Sequence, residues 1–278
     1  MSSASRKLLF GTAGVPNSSS APLTLAGIQC VSQLGLDCLE IEFVKGLKMG
    51  SDTARKIKKQ ANAHNIGLSV HAPYYVNLSA AERGKRLASQ ERILNSARMA
   101  EICGATSAVF HAGYYGNIGA KKTFDIIIEG VKEVVSILKK ERNPVVLRPE
   151  TMGKKSQFGS LEEILFLCRE VDGLQPCIDF SHIHAREGKA NSYAEFYRIL
   201  KKIEKKLGET ALKNLHIHIS GVEYSAKGEL KHLNLQDSDF RYDEWIQALK
   251  DYGVGGMVIC ESPNLEQDAS MLKKLYES

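Results

Sequence analysis

Hydrophobic and polar positions follow two alternating patterns along the chain. Short apolar and β-branched runs predict eight strands, at Leu8–Phe10, Cys38–Val44, Gly67–His71, Ser107–His111, Pro144–Leu147, Pro176–Phe180, Leu215–Ser220 and Gly256–Cys260. Between the runs, apolar residues recur every three or four positions, which is typical of helices. This periodicity is clearest in Asp52–His64, Ala81–Ile102, Phe124–Lys140, Leu161–Arg169, Tyr193–Lys206, Tyr242–Asp251 and Leu265–Tyr276. Strands that alternate with helices predict a parallel sheet.

Eight strand–helix units in 278 residues predict an α/β fold, a single (β/α)8 TIM-barrel domain over residues 1–278. A doubly wound open sheet is the alternative, but it usually has fewer strands. The Gly11–Gly14 turn after the first strand also lacks the glycine spacing of a dinucleotide-binding site. The longest stretch with neither pattern, Gly221–Asp239, is predicted to be an irregular functional loop.

Composition and charge narrow the class of protein only slightly. Hydrophobic residues make up 43% of the chain and charged residues 25%, as in ordinary globular domains. The net charge of +5 permits a polyanionic partner without requiring one. The six cysteines form no Cys-x-x-Cys pair, so we expect them to be reduced and buried. No apolar run approaches the roughly 20 residues of a membrane helix, and we expect a cytoplasmic protein without membrane contact.

Ionisable residues gather where the predicted strands end. Six consecutive strands deliver a histidine or carboxylate there, at His71, His111, Glu150, Asp179 with His182, His216 with His218, and Glu261. Active sites of TIM barrels lie at this end of the strands. One such histidine is more often a satisfied core residue, but six strands in a row favour a metal site. Imidazoles and carboxylates are ligands of zinc, manganese and iron, and burying them together is costly without a cation or mutual pairing.

The second predicted strand carries two further carboxylates. Glu40 and Glu42 share one of its faces, because side chains alternate with period two. Arg148, near the end of the fifth strand, is expected to form a structural ion pair with one of them.

Several motifs occur together in a characteristic order. They are His71–Leu78, His111–Gly113, Pro149–Gly153, Asp179–His182, His216–His218, His232–Leu235 and Glu261–Pro263. In this combination the sequence resembles the endonuclease IV family of apurinic/apyrimidinic endonucleases, within the xylose isomerase-like TIM barrels. The resemblance covers essentially the whole chain.

The resemblance implies a zinc site with two or three ions per chain, with Mn²⁺ as an alternative metal. The implied ligands are His71, His111 and the bridging Glu150 for one ion; Glu150, Asp179, His216 and Glu261 for a second; His182 and His232 for a third. The family places an aspartate two residues before the second histidine of the third site, where this chain has Leu230. Glu229 is the nearest carboxylate, so the third ion is shifted onto Glu229, weakly held or absent. His184 and His218 match no ligand position and are expected to support the ligands.

The resemblance also implies an activity and a partner. The implied reaction is hydrolysis of double-stranded DNA 5′ to abasic sites, leaving a 3′-hydroxyl and a 5′-deoxyribose phosphate. A monomer is the simplest expectation for a barrel face that wraps DNA. Glu150 and Glu261 are the expected catalytic residues, with Glu261 orienting the nucleophile. The expected DNA contacts are Tyr74 and Tyr75 in the minor groove, and Lys45, Lys48, Lys154 and Lys155 on phosphates.

Two other functions stay open at this stage. A sugar isomerase or epimerase on the same barrel would hold one divalent metal through Glu150, Asp179, His216 and Glu261. That reaction does not need His71, His111, His182 and His232 together, and their joint presence favours the nuclease. A non-catalytic protein that binds damaged DNA is the third alternative.

Overall fold

A closed ring of parallel strands forms the centre of the molecule. The computed structural model describes residues 8–44 and 46–278. The strands in these residues are β1 (Leu8–Ala13), β2 (Cys38–Glu42), β3 (Gly67–His71), β4 (Ser107–Phe110), β5 (Gly113–Tyr114), β6 (Val146–Pro149), β7 (Gln157–Phe158), β8 (Cys177–Asp179), β9 (Leu215–Ile219), β10 (Gly221–Ser225), β11 (Gly228–Leu233) and β12 (Gly256–Cys260).

Helices follow the barrel strands on the outside. They are α1 (Thr24–Gln33), α2 (Ser51–His64), α3 (Arg83–Cys103), α4 (Ala120–Glu141), α5 (Leu161–Glu170), α6 (Phe180–Glu187), α7 (Tyr193–Leu207), α8 (Glu209–Leu212), α9 (Tyr242–Tyr252) and α10 (Glu266–Glu277). Their amphipathic sequence pattern determines which face of each helix packs against the barrel. In α7 the buried face carries Phe196, Leu200 and Ile203, whereas the lysines at 201, 202, 205 and 206 face solvent.

Parallel pairing joins the eight long strands in the order β6-β4-β3-β2-β1-β12-β9-β8. Short parallel bridges from Leu147 to Leu174 and from Glu150 to Cys177 join β6 to β8 and close the ring. The predicted TIM-barrel fold is confirmed. All eight predicted strands are present, while the helices α1, α6 and α8 lie outside the seven segments with the clearest predicted periodicity.

The stretch Gly221–Asp239 is regular in structure, so the prediction that it is irregular is wrong, while its predicted functional role stays a prediction. It folds as an antiparallel hairpin of β10 and β11, followed by a short 3-10 helix at Leu235–Asp237. His184 of α6 contacts the end of this stretch, since its Nε2 lies 3.1 Å from Oδ1 of Asp239. Its ring also packs against Tyr224 of β10, with 4.9 Å between centroids, and the expectation that His184 supports the metal ligands stays a prediction, now acting through this hairpin.

Arg148 does not pair with Glu40 or Glu42, which corrects a second prediction. Its guanidinium donates hydrogen bonds to Oγ of Ser107 at 2.8 Å and to the carbonyl oxygen of Pro176 at 3.1 Å. Burial lowers its pKa to about 10. The carboxylate of Glu40 instead contacts histidines nearer the mouth of the barrel.

Two predictions from composition can be compared with the structure. All six cysteines are buried and none forms a disulfide, as expected. Among the described residues, no helix combines the length and apolar character needed to cross a membrane.

Candidate metal centre

Three neighbouring strands bring together a first group of potential metal ligands. His71 ends β3, His111 follows β4 and Glu150 follows β6. Oε2 of Glu150 lies 3.2 Å from Nε2 of His71 and 2.9 Å from Nε2 of His111. Nδ1 of His71 lies 2.7 Å from the carbonyl oxygen of Ala72, which turns Nε2 toward the carboxylate. We call His71, His111 and Glu150 donor group 1.

The other oxygen of Glu150 faces a second group. Oε1 of Glu150 lies 3.2 Å from Nδ1 of His218, and Oε1 of Glu261 lies 3.4 Å from the same nitrogen. Asp179 ends β8, and the donor atoms of Glu150, Asp179, His218 and Glu261 all lie within 4.8 Å of one another. We call these four residues donor group 2. Because Glu150 presents one oxygen to each group, it has the geometry of a bridging carboxylate.

A third group joins helix α6 to the hairpin. Nε2 of His182 lies 3.5 Å from Oε2 of Glu229 and 3.4 Å from Nε2 of His232. His182 lies in the first turn of α6, where its backbone N–H donates to Oδ1 of the capping residue Asp179 at 2.7 Å. This cap holds His182 beside donor group 2. We call His182, Glu229 and His232 donor group 3.

One extra residue in β11 sets the geometry of donor group 3. The pairing of β10 with β11 skips Leu230, so the strand bulges there. Residues three apart on a regular strand point to opposite faces. The bulge returns Glu229 and His232 to the same face, since a bulge re-aims the side chains beside it. Glu229 can therefore take the place of the aspartate that the family resemblance led us to expect.

Deletion of Leu230 is expected to leave the number of bound zinc ions unchanged. The shortened strand places Glu229 and His232 two residues apart, and alternate residues share a face without a bulge. Elemental analysis of the purified protein measures zinc per chain, with Glu229→Ala as the control that should lose one ion. A folded deletion variant that loses the same ion as Glu229→Ala would contradict this account of the bulge.

His216 does not join donor group 2, and its predicted place there is corrected. The ladder between β8 and β9 sets Asp179 opposite His218, and Cys177 opposite His216. His216 therefore lies one layer deeper in the barrel, where its Nε2 is 2.9 Å from Oε2 of Glu40. Burial lowers its pKa to about 4. The structure brings His218 to the position expected for His216.

The donor groups fit divalent cations. Oδ2 of Asp179 is buried and has no hydrogen-bond partner in the described part of the chain, an arrangement that is costly unless something else pairs with the oxygen. Imidazoles and carboxylates without a thiolate are donors that zinc and manganese accept. The three groups open into one cavity of about 390 Å³. It is lined by His111, Glu150, His182, Glu229, His232 and Glu261, with Tyr74, Tyr114, Met152, Lys154 and Gln157.

Nearby carboxylates hold protons on several of these histidines in the metal-free chain. Burial alone lowers the pKa of His71, but the hydrogen bond to Glu150 and other negative charges raise it to about 10. The pKa values of His182 and His218 also lie well above the usual range, because negatively charged neighbours outweigh burial. Burial raises the pKa of Asp179 to about 6. Cations and protons therefore compete for the same atoms.

Zinc binding to the metal-free chain at pH 7 is expected to release protons. Each histidine ligand with a pKa above the working pH must lose its proton when zinc binds. The zinc affinity therefore falls about tenfold for each unit by which the pH is lowered, for each proton released. Below about pH 6, protonation of Asp179 steepens the loss. Calorimetric titration in two buffers with different ionisation enthalpies measures the number of protons. Identical heats in both buffers at pH 7 would contradict the prediction.

Two tyrosines, Tyr74 and Tyr114, line the cavity, and Tyr75 follows the first of them in the chain. Tyr74 is 51% exposed, and its ring stacks on that of His111 with 5.6 Å between centroids. Tyr75 is equally exposed, and the guanidinium of Arg92 lies over its ring at 4.6 Å. Tyr114 lines the cavity as well. Sequence reasoning missed Tyr114, although its place directly after the His111–Gly113 motif was a usable signal.

The predicted phosphate-binding lysines are exposed where the structure describes them. These are Lys48, Lys154 and Lys155. Lys154 lines the cavity, and its backbone pairs with Gly228 at the tip of the hairpin. Lys45 lies outside the described residues. Lys154 thus places a basic group on the side of the cavity that faces the hairpin.

Comparisons with known proteins identify the family of this barrel and several relatives. The family model described as xylose isomerase-like TIM barrel matches residues 28–275. The chain belongs to that family. An uncharacterized protein of Methanocaldococcus jannaschii is 45% identical over 270 residues, which is 97% of each chain. A probable endonuclease 4 of Mycoplasma pneumoniae is 24% identical over 207 residues, covering 73% of this chain and 70% of its own.

Solved structures of the xylose isomerase-like fold match nearly the full length. Endonuclease IV from Thermus thermophilus has a TM-score of 0.73 at 17% identity, covering 96% of this chain and 97% of its own. A D-tagatose 3-epimerase-like protein has a TM-score of 0.72 at 19% identity, covering 96% of each chain. The predicted resemblance to endonuclease IV within this family is confirmed. At these sequence identities the structural matches show the fold, and the reaction has to be inferred from the residues of the site.

Proposed function

We propose that this chain is a zinc-dependent phosphodiesterase of DNA base-excision repair. It hydrolyses the bond 5′ to abasic sites in double-stranded DNA and leaves a 3′-hydroxyl and a 5′-deoxyribose phosphate. The observation that carries the proposal is that donor groups 1, 2 and 3 open into one cavity, with Glu150 common to two of them. Adjacent cation sites suit the attacking and leaving oxygens of phosphoryl transfer.

Glu150 and Glu261 are the proposed catalytic carboxylates. Bound divalent cations would polarise the phosphate and lower the pKa of an attacking water. The side chain of Glu150 is only 1% exposed, so its task is to hold donor groups 1 and 2 side by side. The side chain of Glu261 is 13% exposed, and its oxygens face His218 and His232. Glu261 is thus placed to accept a hydrogen bond from a water that attacks the phosphate.

The rim of the cavity supplies the proposed DNA contacts. Tyr74 presents a half-exposed ring at the cavity, Tyr75 follows it in the chain with equal exposure, and both would occupy the minor groove where the damaged nucleotide is displaced. Lys48, Lys154 and Lys155 neutralise backbone phosphates. All of these contacts come from one chain, so a monomer is sufficient.

Donor group 2 supports a second candidate function. Glu150, Asp179, His218 and Glu261 alone could hold one divalent cation. That is the metal requirement expected for a sugar isomerase or epimerase, and an epimerase-like protein shares the fold. Donor groups 1 and 3 have no task in such a reaction, which favours the nuclease.

A duplex with a single abasic-site analogue tests the proposal directly. The zinc-loaded protein is expected to cut once, 5′ to the lesion, and to leave the same duplex without a lesion intact. The matched control is Glu223→Ala, which removes an exposed carboxylate from the same hairpin and should cut like the wild type. Neither binding nor cutting, together with turnover of a ketose with one cation per chain, would establish the second function instead.

Replacement of Tyr74 by alanine is expected to weaken binding to the abasic duplex by about 1–3 kcal/mol, the usual worth of a stacking aromatic ring. Binding to an intact duplex should change much less. Fluorescence anisotropy at fixed salt measures both affinities, with Tyr197→Ala on α7 as the matched exposed tyrosine. Equal losses on both duplexes would count against insertion at the lesion.

A further inference from the structure

A buried carboxylate lies directly beneath donor group 2. Glu40 of β2 is fully buried, and its Oε1 lies 2.9 Å from Nε2 of His218. Its Oε2 accepts a hydrogen bond from Oγ of Ser69 at 2.7 Å and lies 2.9 Å from Nε2 of His216. Within the described residues, neither Oε1 of Glu40 nor Nε2 of His218 makes a hydrogen bond with favourable geometry, so each of these two buried atoms is left facing the other at 2.9 Å. Glu40 is thus fixed through one oxygen and presents the other to His218.

The ring of His218 therefore spans two layers of carboxylates. Nδ1 faces Glu150 and Glu261 in donor group 2, while Nε2 faces Glu40. A neutral imidazole carries one N–H, and the nitrogen that binds a cation must be unprotonated. If Nδ1 faces the cation, the proton has to lie on Nε2, toward Glu40.

We propose that Glu40 is a positioning residue for the metal centre, accepting the Nε2–H of His218 and so keeping Nδ1 free and aimed at donor group 2. A carboxylate behind a metal-binding histidine fixes the ring orientation and makes the ligand more basic. The proposal rests on the metal centre of the proposed function but not on its substrate. An epimerase would use donor group 2 in the same way.

A cation bound deeper in the barrel, on the other nitrogen of His218, is an alternative that makes a different prediction. Donor atoms of Cys177, His216 and His218 also lie within 4.8 Å of one another. A cation held there would take Nε2 of His218 as a ligand, and the nitrogen could not donate to Glu40. Zinc content of Cys177→Ser separates the two cases, because only a deeper cation would be lost in that variant.

Zinc titration against a competing chelator tests the proposal without reference to catalysis. In Glu40→Ala, one zinc ion is expected to bind about 10–100-fold more weakly while the others keep their affinity. Glu40→Gln retains an acceptor oxygen and should lose less. The matched control is Ser69→Ala, which contacts Glu40 but not donor group 2, so it should lower the unfolding temperature with little change in zinc affinity.

A second measurement uses the wild-type protein and does not depend on how Glu40→Ala folds. Nitrogen-15 NMR of the zinc-loaded chain, with the His218 signals assigned by their loss in His218→Asn, is expected to show the Nε2–H tautomer. An Nδ1–H tautomer, unchanged zinc affinities in Glu40→Ala, or one zinc fewer in Cys177→Ser would overturn the proposal. If the predicted zinc affinities and tautomer are observed but the protein does not cut abasic DNA, the result would count against the proposed nuclease activity and leave the role of Glu40 standing.

Discussion

Glu150→Ala is expected to lose two zinc ions and DNA cleavage together. Oε2 of Glu150 contacts both histidines of donor group 1, and Oε1 contacts His218 of donor group 2. Removing the shared carboxylate therefore removes a ligand from two sites at once. Lewis-acid assistance is worth several kcal/mol and about 1.4 kcal/mol is tenfold in rate, so cleavage should fall by about 10³-fold or more.

The metal-free form of this variant should also be less stable. Burial alone raises the pKa of Glu150, but neighbouring histidines hold it well below its usual range, so the carboxylate is charged and paired near neutral pH. Deleting one partner of a buried ion pair costs about 3–5 kcal/mol. Urea unfolding of the metal-free wild type and variant at pH 7 measures the loss.

Controls with graded effects separate the loss of ligands from general damage. Glu229→Ala should lose one zinc ion, and Glu223→Ala should lose none. A Glu150→Ala protein that keeps the zinc content of the wild type would show that this residue does not bridge the two groups.

Much of the ligand set is visible in the sequence because each strand carries its own signal. His71, His111 and Glu150 stand where apolar runs end, and the barrel brings all such ends to one mouth. The choice between His216 and His218 is different. Both face inward, because residues two apart on a strand share a face. Which one meets the mouth depends on the stagger of β9 against β8, a relation between distant segments that one sequence does not show.

The hairpin and Arg148 illustrate the same limit. The spacing of Glu229 and His232 is legible, but the bulge at Leu230 that makes them converge arises from pairing with β10. Arg148 and Glu40 both point into the barrel, yet they lie at different depths and find different partners. Local sequence patterns thus predict which side chains face the inside of the barrel. The depth of each side chain along the barrel depends on how the strands are staggered in the assembled ring.

Glu261→Gln is expected to keep its zinc ions and lose most of its turnover. Glutamine, unlike alanine, keeps an oxygen in nearly the same place beside Glu150, Asp179 and His218, so donor group 2 keeps its full number of donor atoms. A neutral amide is a far weaker proton acceptor, so kcat should fall by about 10²–10⁴-fold, the usual worth of a positioned acid or base. KM should change much less, because Glu261 is one of several groups around the substrate.

Single-turnover cleavage of the abasic duplex, with zinc content measured on the same preparation, distinguishes this role from simple ligand loss. Glu229→Gln is the matched change in donor group 3, and its defect should shrink when zinc is raised. The defect of Glu261→Gln should persist at every zinc concentration, because a missing proton acceptor is not replaced by more metal. Unchanged turnover with full zinc occupancy would remove Glu261 from the chemistry and leave it as a ligand only.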